Sequence, residues 1–325
     1  MKVLLTGASG FVGSHILDAL CSQGVESAVL LRASSDRRFI TSHSSVEVRS
    51  GSITDPDSLL KALDGISHVI HCAGCTRASR YSQFYEINHL GSRNVVTAVN
   101  TRQDQVRRLI HISSLAVTGP ATVTRPAREE DPFKPISEYG KSKLAGELEV
   151  KDNCRVEFAV LRPPAVYGPR DNGFLPMFQA VKKHLLPRPN GRQALSLVFV
   201  KDLAQSVVSC LTHPAAAGKT YFVASREIVT ARQMAQEIAS RMERWTVPVP
   251  LSAVALLPLC LAQEAWSRLT GKPTLLNLQK FAELRAPGWV CDPSRFEREI
   301  GVKCETSLKS GILETLSWYK AQEWV

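Results

Sequence analysis

A short aliphatic run, Val3 to Thr6, leads without interruption into Thr6-Gly7-Ala8-Ser9-Gly10-Phe11-Val12-Gly13, and an apolar-periodic stretch continues from Val12 to Ser22. Strand, glycine-rich turn and helix in that order leave few folds open. Gly7 permits a tight turn, Gly10 lets the main chain approach a pyrophosphate, and Gly13 lets the helix lie close on its strand while its N-terminus faces the anion. Glycine spacing alone is weak evidence. Set between a strand and a helix it predicts a phosphate-binding loop that includes Ser9, Phe11 and Val12.

The rest of the first half repeats the pattern. Aliphatic or β-branched runs at Ala28 to Leu31, Val46 to Ser50, His68 to His71, Arg108 to Ile112 and Phe158 to Arg162 read as buried parallel strands. Helical patterns separate them, clearest at Pro56 to Leu63, Phe84 to Asn100 and Ser137 to Lys151. Repeated βα units predict an α/β, doubly wound parallel sheet of the Rossmann type, with ligands at the carboxyl ends of its strands. After Arg162 the alternation fades, prolines crowd the segment from Pro163 to Pro189, and all five tryptophans lie at or beyond Trp245. The expected division is a dinucleotide-binding domain over 1–165 and a smaller, mostly helical substrate region over 166–325. Parts of 195–225 are expected to return to the first domain.

Composition excludes some roles. The 325 residues carry 40 Lys and Arg against 30 Asp and Glu, a formal charge of +10. The bases come scattered or in short groups such as Arg37-Arg38, Arg107-Arg108 and Lys182-Lys183, without the long run or interleaved aromatics of a nucleic-acid surface. This scattered distribution argues against a nucleic-acid partner and against an anionic-lipid partner, and leaves a phosphorylated small molecule. The eight cysteines are dispersed, and the first strand begins at Lys2, so a cytoplasmic, reducing setting is expected. The pair Cys72 and Cys75 lacks a second pair for zinc and ends an apolar strand, so no metal is expected. The longest apolar stretch, Val247 to Ala262, is broken by Pro248, Pro250 and Pro258. It falls short of the ~20 residues that span a bilayer. It reads as a helix packed in the second region, with an interfacial membrane contact as the minor alternative because Trp245 and Trp266 flank it.

Tyr139 and Lys143 form the only Y-x-x-x-K spacing in the chain, which puts both side chains on one helix face. A phenol with an ordinary pKa of about 10 exchanges protons poorly near neutrality unless its anion is stabilised, and a lysine ammonium supplies that. Ser113 and Ser114 end the strand from Arg108, at the edge where a ligand must lie.

The T-G-x-x-G-x-x-G loop and the Tyr-Lys pair resemble the extended short-chain dehydrogenase/reductase family, the NAD-dependent epimerase/dehydratase family. The likeness extends through Ser113-Ser114-Leu115-Ala116-Val117-Thr118-Gly119 and Leu161-Arg162-Pro163-Pro164-Ala165-Val166-Tyr167-Gly168-Pro169-Arg170 to Phe199-Val200-Lys201-Asp202-Leu203-Ala204. It implies Ser114 as the catalytic serine, with Ser113 as the fallback, beside Tyr139 and Lys143, and a supporting role for Asn88. It also implies cofactor contacts from Ser113, Pro163, Val166 and the small-residue segment Cys72-Ala73-Gly74. Gly51-Ser52-Ile53-Thr54-Asp55 resembles the family's adenine-binding stretch, although Ser52 replaces the usual acid. Substrate contacts are expected from Cys75, Thr76, Arg77, Ser114, Tyr167, Arg170 and the region from Gly173 to Arg192.

Where an NAD enzyme commonly carries an acid for the ribose 2′-hydroxyl, the second strand ends in Arg32, followed by Ser34 and Ser35. A guanidinium there suits a 2′-phosphate, which favours NADP over NAD. The Arg-ended strand and Ser-Asp-Arg-Arg loop resemble the dihydroflavonol reductase-like branch, which implies an NADP(H)-dependent oxidoreductase acting on a small molecule. The alternative is a nucleotide-sugar epimerase or dehydratase with tightly held NAD, where Arg162, Arg170, Arg188 or Arg192 meets a diphosphate. A non-catalytic NADP sensor is the third reading. The resemblance further implies a homodimer through the helices from Phe84 and Ser137.

Overall fold

Side chains of a strand point alternately to its two faces, so a strand covered on both sides must be apolar throughout. The computed structural model describes residues 1–41, 43, 45–189, 193–251, 253–272, 274 and 277–325, and in it the first six strands are joined mostly through helices, all but the exposed edge strand Glu47–Ser50 being largely buried. The strands are β1 (Lys2–Thr6), β2 (Glu26–Leu31), β3 (Glu47–Ser50), β4 (His68–His71), β5 (Arg108–Ile112) and β6 (Glu157–Arg162). The helices between them are α1 (Phe11–Ser22), α2 (Pro56–Ala62), α3 (Tyr81–Phe84), α4 (Gly91–Thr101) and α5 (Glu138–Asn153). The chain continues through β7 (Ala165–Tyr167), α6 (Leu175–Lys182), β8 (Leu185–Pro189), β9 (Ala194–Phe199), α7 (Val200–Ser209) and β10 (Lys219–Phe222).

Seven strands form one parallel sheet in the order β10-β6-β5-β4-β1-β2-β3. In the β1 register Leu5 stands beside Val29 on one side and Ile70 on the other. Alternation then sorts the sheet into two cores. Val3, Leu5, Val29, Leu31, Ile70, Ile110 and Leu161 meet Ile16, Leu20, Leu203 and Val207 from α1 and α7. Leu4, Ala28, Leu30, Val69, Leu109 and Val160 meet Leu59, Val95, Val99 and Val150 from α2, α4 and α5. Each fully buried aliphatic contributes about 1.5–3 kcal/mol relative to exposure. From β1 the chain builds outward to β3, then returns on the opposite side with β4. That reversal opens a crevice beyond the carboxyl ends of β1 and β4.

The expected helix from Phe84 starts earlier, at Tyr81, and its middle is a π-helical turn over Tyr85–Leu90. The wider turn carries Asn88 into the interior, where it is buried. Such local widening recurs at functional sites.

The remaining elements are β11 (Ile228–Thr230), α8 (Ala231–Arg241), β12 (Val247–Leu251), α9 (Ala253–Thr270), α10 (Leu278–Arg285), β13 (Gly288–Trp289), α11 (Ser294–Ile300) and α12 (Leu308–Ala321). β9 is flanked by β11 and β13 and also pairs with β7, and β8 pairs with β12. A third core gathers Tyr167, Phe178, Phe199, Ile238, Ile312 and Tyr319. The apolar stretch from Val247 is therefore divided between a strand and a helix. α9 is amphipathic in an inverted sense: Cys260, Glu264 and Ser267 are buried, while Leu259, Leu261, Trp266 and Leu269 are 45%, 50%, 61% and 85% exposed. No helix among the described residues is long and apolar enough to cross a membrane.

Candidate active site

The crevice is a cleft of about 780 Å³ whose floor is the glycine loop. Gly7 has φ +79°, and a Cβ there would stand 2.6 Å from the Ala73 nitrogen. A Cβ on Gly13 would stand 2.1 Å from the Gly7 carbonyl oxygen. Both positions hold α1 against β1 and β4 at a separation that only glycine allows. Gly10 caps α1 without a side-chain hydrogen bond, and the first turn holds no acid, so the helix N-terminus offers unshared N–H groups to an anion. Gly7, Ser9, Gly10, Phe11, Val12 and Gly13 all line the cleft.

Along one wall stand Arg32, Ser35, Ser52 and Ile53, and along the floor Cys72, Ala73 and Gly74. Beneath them Thr6, His71 and Ser92 form a buried chain, with 2.9 Å from Thr6 Oγ1 to His71 Nδ1 and 3.0 Å from His71 Nε2 to Ser92 Oγ. Burial lowers the His71 imidazole to about 3, so it stays neutral and serves packing. The only acid among the described lining residues is Asp171. The loop, the open helix terminus and the basic wall fit a dinucleotide phosphate chain.

Three strand spacings away from Arg32, about 14 Å across the sheet, the ends of β5 and α5 bring Ser114, Tyr139 and Lys143 into the same cleft. The Ser114 hydroxyl lies close enough to the Tyr139 phenol to oppose its rise in pKa. Ser114 is fixed by accepting from Ala116 N at 3.1 Å. Burial raises the Tyr139 phenol to about 12, with the Ser114 hydroxyl acting in the opposite direction, so the phenol holds its proton at neutrality. Burial lowers Lys143 to about 8. Its ammonium donates to the Ile112 carbonyl at 2.6 Å.

Asn88 acts on the loop opposite. Its Oδ1 accepts from Cys75 N at 2.7 Å, and its Nδ2 donates to the Cys75 carbonyl and to Ser142 Oγ, each at 2.9 Å. One amide thus holds the loop after β4 to the helix that carries Tyr139. Ser113 lines the cleft but donates to Glu147 at 2.7 Å. Glu147 is in turn paired with Arg162, both fully buried. The Glu147 partner is missing from the sequence reading, although Tyr139, Lys143 and Glu147 follow one i, i+4, i+8 face.

Cys75, Thr76, Arg77, Pro163 and Val166 line the outer cleft. Tyr167 and Arg170 do not. Tyr167 turns into the third core, 5.6 Å from the Phe199 ring, and its hydroxyl would collide with a Cβ on Gly311. Arg170 pairs with Asp18 at 2.8 Å and lies over the Phe39 ring at 4.5 Å. Local ion pairing and core packing outcompete the cleft at these two positions. Arg162 is likewise committed to Glu147 and two phenyl faces, Phe133 and Phe222, and cannot meet a diphosphate. Arg192 lies outside the described residues. From the expected region beyond Gly173, only Gly173 itself lines the cleft among the described residues. Asp171 and Asn172 join it unpredicted; Asp171 accepts from the Gly173 and Phe174 amides at 2.6 and 3.0 Å. The signal was the Asp-Asn-Gly turn before α6. Among the described residues no group of three His, Cys, Asp or Glu side chains could hold a metal.

A family model described as the NAD dependent epimerase/dehydratase family matches residues 3–224. A protein named ceramide reductase, from Caulobacter vibrioides, is 30% identical, with 99% of this chain and 96% of the relative covered. A UDP-glucose 4-epimerase from Vibrio cholerae is 29% identical over 97% of this chain and 94% of its own length. In structure, the chain resembles the Bordetella bronchiseptica enzyme WbmG in complex with NAD and UDP, at TM-score 0.80 and 23% identity, covering 100% of this chain and 96% of that one. The chain is therefore an enzyme of the NAD-dependent epimerase/dehydratase family, the extended short-chain dehydrogenase/reductase type.

Proposed function

We propose that the protein is an NADP(H)-dependent carbonyl reductase or alcohol dehydrogenase. The observation that carries this reading is that Ser114, Tyr139 and Lys143 all line the same end of the cleft, with Lys143 fixed on the Ile112 carbonyl. When bound, NADPH supplies the hydride that forms the new C–H bond. As the carbonyl π bond breaks, its oxygen takes the Tyr139 proton, and Ser114 holds that oxygen during the transfer. Lys143, mostly protonated at neutral pH with its pKa near 8, stabilises the phenolate left behind. Asn88 keeps the facing loop in place, and Arg32 with Ser35 receives the 2′-phosphate. Residues 1–165 with the returning segment form the cofactor domain in this reading, and the remainder encloses the substrate.

Stoichiometric NADPH consumption by a ketone or aldehyde tests the reading; conversion of a nucleotide sugar without net cofactor change sinks it. The second reading, a nucleotide-sugar epimerase, is favoured by the name of the Vibrio cholerae relative. Arg77 at the outer cleft is then the cation available to a diphosphate. The non-catalytic sensor reading is disfavoured by the Ser114, Tyr139 and Lys143 set.

A further inference from the structure

We propose that the outer face of α9 docks on an anionic lipid bilayer, so that the cleft takes an amphipathic lipid carbonyl substrate from the membrane. The substrate half of this inference rests on the reductase reading; the docking half does not. Three observations meet at this helix.

The first is its inversion. A helix laid on a soluble core turns its polar stripe outward. Here Glu264 and Ser267 face in, and Leu259, Leu261, Ala262, Ala265, Trp266 and Leu269 face out. The inward carboxylate is well used: Glu264 accepts from the Tyr81 hydroxyl at 3.2 Å and from Leu278 N at 3.1 Å. Its orientation is thus specified by polar bonds, and the apolar outer face is a consequence of that choice. A Trp set among leucines on one exposed face has the chemistry of an interfacial anchor.

The second is charge. Between Leu257 and Lys272 the sequence holds one acid, the inward Glu264, and two bases, Arg268 and Lys272. A face with no outward acid and a base just past its end complements phosphate headgroups and would repel little from them.

The third is position. Tyr81 follows the Cys75 to Arg77 wall of the cleft, and α10, which packs on α9, accepts the Glu138 amide through Gln279 at 2.6 Å, one residue before Tyr139. Glu283 of α10 lies close enough to act electrostatically on the Tyr139 phenol. The two helices therefore form one plate, with its inner side at the reacting end of the cleft and its outer side apolar. The plate therefore stands between the reacting end of the cleft and whatever its outer side rests on.

The test is co-sedimentation of the full chain, without substrate or cofactor, with vesicles of phosphatidylcholine containing one-quarter phosphatidylglycerol, beside vesicles of phosphatidylcholine alone. Binding to the anionic vesicles is expected, and the double variant Trp266→Gln, Leu269→Gln should weaken it tenfold or more. Lys272→Gln should weaken it about fivefold, as for one basic contact at an anionic surface. Turnover of a water-soluble ketone and the melting temperature should stay unchanged in these variants, which separates loss of docking from loss of fold. No binding by the wild type, or equal binding by the double variant, overturns the proposal. Sedimentation velocity that reveals a dimer dissolved by the double variant also overturns it and gives the face to a second copy. Vesicle binding without turnover of any carbonyl substrate would sink the reductase reading alone.

Discussion

The sheet half and the α9–α10 plate bury their residues by opposite rules. In the sheet half, apolar residues fill both faces of the central strands, and polar groups kept inside near the cleft are bonded to one another, as Ser113 is to Glu147 and Glu147 to Arg162. In the plate, a carboxylate is inside and the leucines are outside. The difference teaches that the two parts meet different surroundings. One is shaped to make its own interior, and the other to complete its burial against something else.

The largest effect that can break this contrast is chemical. Tyr139→Phe removes the only proposed proton donor and should reduce turnover about 10²–10⁴-fold with an unchanged melting curve; near-normal kcat would remove the mechanism assigned to the sheet half. Next come two leucines. Leu5→Ala in the core should cost about 2–5 kcal/mol in urea unfolding, whereas Leu269→Ala on the plate should stay within about 0.5 kcal/mol. Similar costs at both would show that the plate is packed as the core is.

Arg32→Asp should move the NADPH/NADH affinity ratio tenfold or more toward NADH, about 1.4 kcal/mol by fluorescence titration. An unchanged ratio removes the phosphate clamp. The smallest effect is with pH. Lys143 is depressed to about 8 in the folded protein from an ordinary 10.5. Reductive kcat should therefore fall as pH rises through about 8, where the ammonium is lost, and Lys143→Met should flatten that limb. For stability the sign is reversed. Between about 8 and 10.5 the unfolded chain holds the proton that the folded chain has released, so stability attributable to Lys143 rises with pH there.

The sheet was readable because its signals are local and redundant. β4 and β5 fall on the expected runs, and β1, β2, β3 and β6 differ from them by one or two residues at the amino end, since an aliphatic run between turn residues has few other solutions. The residues that line the cleft from Gly7 to Gly13 and from Cys72 to Arg77 were legible for the same reason. Tyr167 and Arg170 were not, because their destinations, a glycine on α12 and a carboxylate on α1, lie about 140 residues downstream and 150 upstream. Glu147 was hidden by its partners: a buried acid on a helix looks solvated until Ser113 and Arg162 are seen around it. α9 was half legible. Its hydrophobicity was plain in the sequence, but which side faced inward depended on Tyr81 and Leu278.

β10 has a consequence for how the chain comes off the ribosome. The strand that seals β6 is not made until residues 219–222, and Arg108 at the start of β5 waits for the carbonyls of Cys210 and His213, both at 2.8 Å. During synthesis the first six strands thus emerge with an open, aliphatic border at β6, a template for pairing with another nascent chain. A fragment ended at residue 165 keeps the nucleotide loop and the Tyr139 helix yet retains that raw border. A fragment ended after Phe222 has that border covered, so the half that holds the cleft depends for its finish on a strand delivered from beyond it.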